Sequence, residues 1–430
     1  MKNICFYFQI HQPFRLKRYR FFNIGTDHYY YDDFLNEEKI SYVVNNSYLP
    51  ANQTILEMIR SSNKKFKCAF SISGTALEQI EQYAPELIDS FRELAATGCV
   101  EFLAEPYAHS LASLYDEKEF EVQVKMHSDR IADLFGKKPT AFRNAELIYS
   151  DEIGAKVAQM GYKTMLVEGA RHVLGWRSPN YVYGHSYNNK LKLLVRNYKM
   201  SDDISFRFSN RSWSDFPLTA EKYTDWIAAM PAEEQVLNIW IGYEAIGVFQ
   251  NRETGIFDFM KALPYQAISK GLKFVTPSEA TEKNKPIDKL NVNTPIGWSG
   301  EEKDLSVWMG NNLQQEALKK LYSVSERVRL CTDKPLLWDW VNLQATDNFR
   351  YMSHKDAWGT NYESPYEAFI NYMNVLADFL QRVNSQFPES IENEELNELL
   401  KIINNQELKI EQLKEELKKK EESEKTASKK

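Results

Sequence analysis

The sequence predicts an α/β protein: a parallel sheet or barrel, then a helical region. Three observations lead there. From Asn3 to about Pro277, short apolar or β-branched runs alternate with stretches of helical periodicity, the pattern that builds parallel sheets and barrels. Several of these runs end in a carboxylate, at Glu105, Glu146, Glu168 and Glu244, and acids gathered at the C-terminal ends of parallel strands make an active-site mouth. After the Lys-, Asn- and Pro-rich stretch Glu282 to Lys289 the periodicity is helical only. At 430 residues the chain has room for a large α/β domain and an appended second one.

The first strand runs from Ile4 to Ile10, and Pro13 stops it with His11 at the tip, as a structural residue or as a donor to a substrate hydroxyl. A helix over Leu49 to Ser61 leads to a strand over Phe66 to Ser73. A helix from Pro85 to Ala96, capped at Gly98, feeds a strand into Glu105. Tyr107, His109 and Ser110 follow, then an amphipathic helix from Glu117 to Phe135 that stops at Gly136.

The next strand delivers Glu146. A competing reading makes Glu146 a surface residue before a helix that Ser150 caps. A helix from Glu152 to Met160 precedes a strand from Lys163 to Glu168. From Arg171 to Trp213 the pattern breaks into an aromatic and polar insertion, interrupted by the strand-like Leu191 to Val195; long irregular segments are usually functional loops. A helix around Trp226, the strand ending in Glu244, and a short strand at Phe274 complete the alternation. Helices are expected over Leu313 to Leu330, Leu336 to Ala345 and Pro365 to Val383. Beyond Pro388 a charged tail spaces Leu396, Ile403, Ile410 and Leu417 by sevens, which predicts an amphipathic helix, self-associating or solitary and partly disordered.

A formal charge of −7 with no basic block argues against nucleic acid as a partner. No apolar run approaches the length needed to span a membrane, and the N-terminus reads as a strand rather than a signal. Cys5, Cys68, Cys99 and Cys331 lack ligand spacing. They read as buried free thiols in a reducing cytoplasm, with neither a metal nor another cofactor expected. Aromatic residues make up 13% of the chain, which fills cores or supplies flat faces for sugar rings.

Five motifs in order carry a resemblance. They are Phe6-Tyr7-Phe8-Gln9-Ile10-His11-Gln12-Pro13, Ala104-Glu105-Pro106-Tyr107-Ala108-His109-Ser110, Phe142-Arg143-Asn144-Ala145-Glu146-Leu147-Ile148-Tyr149, Gly242-Tyr243-Glu244-Ala245-Ile246-Gly247 and Thr346-Asp347-Asn348-Phe349-Arg350-Tyr351-Met352. With them, from about Asn3 to Phe379, the chain resembles glycoside hydrolase family 57, most closely its α-amylase and α-amylase-like members.

The resemblance implies an irregular (β/α)7 barrel, a distorted TIM-like fold, over residues 1–283. A helical bundle over 284–387 would contribute to the site, with the charged tail over 388–430. It further implies a retaining mechanism on α-glucans such as malto-oligosaccharides, with Glu146 as nucleophile. Active members resembling this chain carry Asp-Tyr-Glu at Gly242-Tyr243-Glu244, so glycine stands at the acid/base position and activity is expected to be weak or lost.

Two residues further along a strand, a side chain lies about 6–7 Å away, so Glu244 is expected to be no simple replacement. A rescuing acid would be Asp202, Asp203 or Asp347. His11, Glu105, His109, Trp176, Trp213, Trp240, Glu244, Asp347 and Trp358 are the candidate substrate-binding residues. For each tryptophan, core packing is the competing reading. The segment Ser353 to Gly359 is short for the family, which implies a more open cover.

Three functions compete: an α-glucan hydrolase or transferase, an inactive descendant that binds α-glucan or a partner protein, and a metal-dependent carbohydrate deacetylase using His11, His109 and carboxylates as ligands. The third ranks last, because the chain has no His-x-x-x-His pair and its histidines are scattered.

Overall fold

The computed structural model describes residues 2–355 and 359–387, with residues 402, 405, 406, 409, 410, 413 and 414 beyond them. Trp358, the expected coiled-coil tail as a whole and its heptad positions Leu396, Ile403 and Leu417 lie outside the described residues.

Ten strands are described: β1 Asn3–Ile10, β2 Cys68–Ile72, β3 Val100–Phe102, β4 Ala141–Arg143, β5 Thr164–Val167, β6 Val182–His185, β7 Lys192–Val195, β8 Val236–Gly242, β9 Lys273–Phe274 and β10 Lys289–Leu290. One sheet runs β3-β2-β1-β8 with β9 also on β1, and the other runs β10-β6-β7-β5-β4. All the pairings are parallel except that of β6 with β7. Two single parallel bridges join the sheets, Ala104 to Phe142 from just past β3 to β4 and Arg196 to Asn238 from just past β7 to β8. The parallel ladder therefore closes on itself as a distorted barrel, through β1, β2, β3, β4, β5, β7 and β8.

Alternation along the strands sorts the side chains into two environments. Ile4, Phe6, Phe8, Cys68 and Phe70 pack outward against helices that include Leu49–Ser61 and Pro85–Ala96. Cys5, Tyr7, Ala69, Leu103, Ala141, Leu166, Leu194 and Trp240 fill the interior. Toward the C-terminal ends the buried residues turn polar, with Ser71, Glu105, Arg143, Glu168 and Arg196.

Local chemistry sets the helix ends. The helix Glu117–Phe135 starts where the Asp116 carboxylate accepts from the Glu119 N–H, and stops at Gly136, whose φ of 78° is left-handed. One expectation needs correction. The strand-like Leu191 to Val195 is β7, between β5 and β6, but the segment 171–213 also holds β6, Val182–His185, where an irregular stretch was expected. At four residues, two of them Gly184 and His185, β6 is too short for alternation to identify it.

The helices after Lys283, notably Asn312–Tyr322, Lys334–Leu343 and Pro365–Gln386, share one apolar cluster with Phe142, Met165, Val167 and Leu193 of the barrel. The final helix also holds the N-terminal loop. Asn371 accepts from the Tyr19 N–H at 2.7 Å, while Asp378 accepts from the Gly25 N–H at 2.6 Å and the Tyr30 hydroxyl at 2.7 Å. Among the described residues, no helix is long and apolar enough to cross a membrane. All four cysteines are free and buried.

Candidate active site

Glu146 sits just past β4, in a turn that its own sequence pins. The Asn144 side chain accepts from the Ala145 N–H and donates to the Ile148 carbonyl, both at 3.0 Å. Leu147 is drawn into the barrel interior, and Glu146 and Leu147 take φ of 53° and 54°. His109 has the same left-handed backbone, φ 53°. Non-glycine residues in this region cost on the order of 1–3 kcal/mol and persist where the surroundings over-determine them. Glu146 and His109 belong to one polar cluster.

That cluster is a web of hydrogen bonds. Ser71 donates to Glu105 Oε1 at 2.8 Å, and His109 Nδ1 meets Glu105 Oε2 at 2.7 Å. His109 Nε2 lies 3.5 Å from Glu146 Oε1. Thr346 donates to Glu146 Oε1 at 2.9 Å, and the Trp298 indole N–H donates to Oε2 at 2.5 Å. Backbone contacts place both donors: the Trp298 N–H reaches the Glu146 carbonyl and the Thr346 N–H reaches the His109 carbonyl. His11 stacks on His109 with ring centroids 4.3 Å apart, meets Asp347 Oδ2 through Nε2 at 2.7 Å, and meets Ser73 Oγ through Nδ1 at 2.7 Å.

Burial by itself would raise the Glu146 carboxyl, but the hydrogen bond and charge of His109, then the Arg350 charge and the Trp298 indole, hold it far below the usual carboxylate range. Glu105 is held at about 2 against its own burial, chiefly by His109. Burial opposes charge on His109, and the Gln9 amide at 3.2 Å and the Glu146 N–H at 3.4 Å also face Nε2 as donors that favour neutral imidazole. Two carboxylates outweigh two amide dipoles, and His109 is raised to about 9. Burial and the charge of His109 push His11 down.

His109 therefore links stability to pH. Its proton is bound more tightly in the folded chain, so its contribution is complete below about pH 6.5, the unfolded value, and is lost as pH rises through 9. We expect urea unfolding at pH 9 to show about 3 kcal/mol less stability from this group than at pH 6. His109→Gln should flatten that slope; an unchanged slope would assign the proton elsewhere.

The structure brings His11, Glu105, His109, Glu146 and Asp347 together. Trp240 is 5% exposed, with Arg143 and Arg196 at 5.5 and 4.7 Å from its ring; it is packed inside the barrel. Trp176 is 95% exposed and Trp213 packs on Trp226 at 6.2 Å. Among the described residues neither tryptophan makes a hydrogen bond or ring contact with the Glu146 cluster. Asp202 and Asp203 are paired with Arg196 and Arg207, and Asp347 with His11.

Sequence reasoning missed Trp298, half-buried and 5.1 Å from Trp240. Its signal was there in Ile296-Gly297-Trp298, an apolar island in a polar stretch. A cavity of about 950 Å³ opens at the other end of the strands, lined by residues such as Lys138, Thr140, Lys163, Lys192 and Ser278; it holds none of this chemistry. Among the described residues no group of three or more His, Cys, Asp or Glu is arranged to hold a metal ion.

Glu244 departs from its expected place. β8 ends at Gly242 and Tyr243–Ala245 forms a 3-10 turn, so the side chain does not travel on along a strand. It folds back until Oε2 lies 3.7 Å from where a Cβ on Gly242 would sit. Tyr48 and Gln12 donate to Oε1.

Residues 5–293 match the model of glycosyl hydrolase family 57. The "Putative alpha-amylase" of Methanocaldococcus jannaschii is 37% identical over 396 residues, covering 87% of this chain and 84% of that protein. Among solved structures, a GH57 branching enzyme from Thermococcus kodakaraensis, in complex with glucose, superposes with a TM-score of 0.68 at 13% identity, over 93% of this chain and 94% of that one. The 4-alpha-glucanotransferase of Thermococcus litoralis gives 0.63 at 16%, over 87% of this chain, which spans only 60% of that enzyme's length. At these identities the structural likeness bears on the fold, whereas the match over residues 5–293 and the 37% relative bear on descent: the chain belongs to glycosyl hydrolase family 57.

Proposed function

We propose that this protein is an α-amylase-like hydrolase of α-1,4-linked glucans of the glycogen or starch type, working with retention through Glu146. One observation carries the reading. Glu146 is a carboxylate held ionised at the strand ends by an imidazolium, an indole N–H and a hydroxyl. It can attack an anomeric carbon without first losing a proton. Retention pairs such a nucleophile with a second carboxyl about 5–5.5 Å away, which protonates the leaving oxygen and then activates water. The aromatic edge of Trp298 beside Glu146 suits an apolar sugar face.

The scaffold we infer is an irregular (β/α)7 barrel over residues 1–283 and a helical unit over 284–387 that contributes Trp298, Thr346 and Asp347. Gly242 favours a second reading, in which the chain keeps the groove and binds glucan without cleaving it. An activated fluoro-sugar, whose leaving group needs no proton, separates the two from the rest. We expect mass analysis to find a glycosyl adduct on Glu146 and calorimetry to find malto-oligosaccharide binding. Binding without adduct would support the second reading, and neither would remove α-glucans from consideration.

A further inference from the structure

Resting on the retaining reading above, we propose that Glu244 is the general acid/base, its carboxyl folded into the space that the glycine at 242 leaves open. An added Cβ at Gly242 would meet Glu244 Oε2 at 3.7 Å and, among the described residues, no other atom within 4 Å. The carboxyl thus stands next to the place a side chain on residue 242 would occupy, reached from two residues later by a longer side chain and a tight turn. Gln9 pairs with Gly242 across the β1–β8 ladder, and its amide contacts both Arg143 and His109. Gly242 therefore faces the same mouth as Glu146.

The hydrogen bonds sort the two oxygens of Glu244 into different roles. Oε1 accepts from the Tyr48 hydroxyl and from Gln12 Nε2, which is 3.3 Å away. Those are the partners of a carbonyl oxygen, and they leave Oε2 to carry the proton toward the site. Burial raises the Glu244 carboxyl above its ordinary value, against the pull of Tyr48, its own backbone N–H, Gln12 and the Arg15 charge. A raised carboxyl and an ionised one at the strand ends of one barrel is the division of labour that a glycosidase needs.

The steps balance. A Glu146 oxygen bonds to the anomeric carbon as the bond to the leaving oxygen breaks, and the Oε2 proton of Glu244 passes to that oxygen. Water then gives a proton to Glu244 as its oxygen bonds to the anomeric carbon, and the bond to Glu146 breaks.

The test compares maltopentaose with an α-glycosyl fluoride in wild type and in Glu244→Gln, which keeps the side-chain shape. Wild type should hydrolyse both. Glu244→Gln should lose about 10²–10⁴ on maltopentaose, yet still be glycosylated by the fluoride and accumulate the adduct on Glu146. Azide, a nucleophile that needs no base, should discharge that adduct as the α-glycosyl azide, a result that a merely structural role would not produce. Gly242→Asp placed on Glu244→Gln should recover at least about tenfold on maltopentaose, a fraction of the worth of an acid.

Unchanged maltopentaose hydrolysis in Glu244→Gln, or an adduct that azide cannot discharge, overturns the assignment. A wild type that forms the adduct but leaves maltopentaose intact overturns it as well, while the nucleophile reading stands. A wild type that forms no adduct removes the hydrolase reading and this proposal with it.

Discussion

Glu146→Gln is expected to abolish both adduct formation and turnover of an activated fluoro-sugar, a loss of about 10⁴–10⁶ on the scale of removing a covalent nucleophile. The side chain keeps its volume and one acceptor oxygen, so Trp298 or Thr346 retains a partner. What disappears is the charge that faces His109 and, on the retaining reading proposed above, the electron pair that would attack carbon. Glucan binding should survive within about tenfold, because calorimetry reads contacts that Gln preserves. An adduct persisting in Glu146→Gln would move the nucleophile elsewhere.

Arg196→Met is expected to destabilise the fold by about 3–5 kcal/mol, the cost of stripping one partner from a buried ion pair. Arg196 is 1% exposed; Nη1 donates to Glu168 Oε2 at 3.0 Å and Nη2 to Asp202 at 2.5 Å. Without it Glu168, 2% exposed, keeps only the more distant Lys303 charge and the Gly169 N–H, which donates to Oε1 at 3.0 Å, against its burial. Burial already raises that carboxyl with Arg196 present, so in the variant the folded state binds its proton more tightly still.

A raised folded value means stability present below the unfolded value near 4.3 and lost as pH climbs through the folded one. Urea unfolding should therefore find a larger deficit at pH 8 than at pH 5, and Glu168→Gln added to Arg196→Met should narrow it. Equal deficits at both pH values would mean lost packing against Trp240 rather than an orphaned charge.

What the sequence disclosed follows from the range of the forces involved. Helix limits were legible where local groups set them, as at Leu49–Ser61, Pro85–Ala96 and Glu117–Phe135, because Pro near the start, an Asp cap or a following Gly acts within a turn. The acids at strand ends were legible as a set, and the structure brings Glu105 and Glu146 onto the two sides of His109. Three features were not legible, each for a tertiary reason. β6 is held by its pairing with β7 and β10 rather than by its own length. Trp298 reaches Glu146 only because residues 296–298 run back along residues 146–149. The position of Glu244 depends on where β8 stops, and strand ends are set by pairing that no local pattern records.

The reach of the last helices back to the N-terminal loop has a consequence for the newborn protein. Thr346 and Asp347 lie about two hundred residues or more downstream of the Glu146 and His11 side chains they complete. At a ribosomal pace of about 5–20 residues per second, roughly 10–40 s separate the emergence of Glu146 from that of Thr346. Throughout that interval the barrel strands exist without the helices that share their core. Contacts so distant in sequence also close late, after their loop entropy has been met. The nascent barrel thus keeps apolar faces uncovered until synthesis is nearly over, when the segment that carries Thr346 and Asp347 arrives.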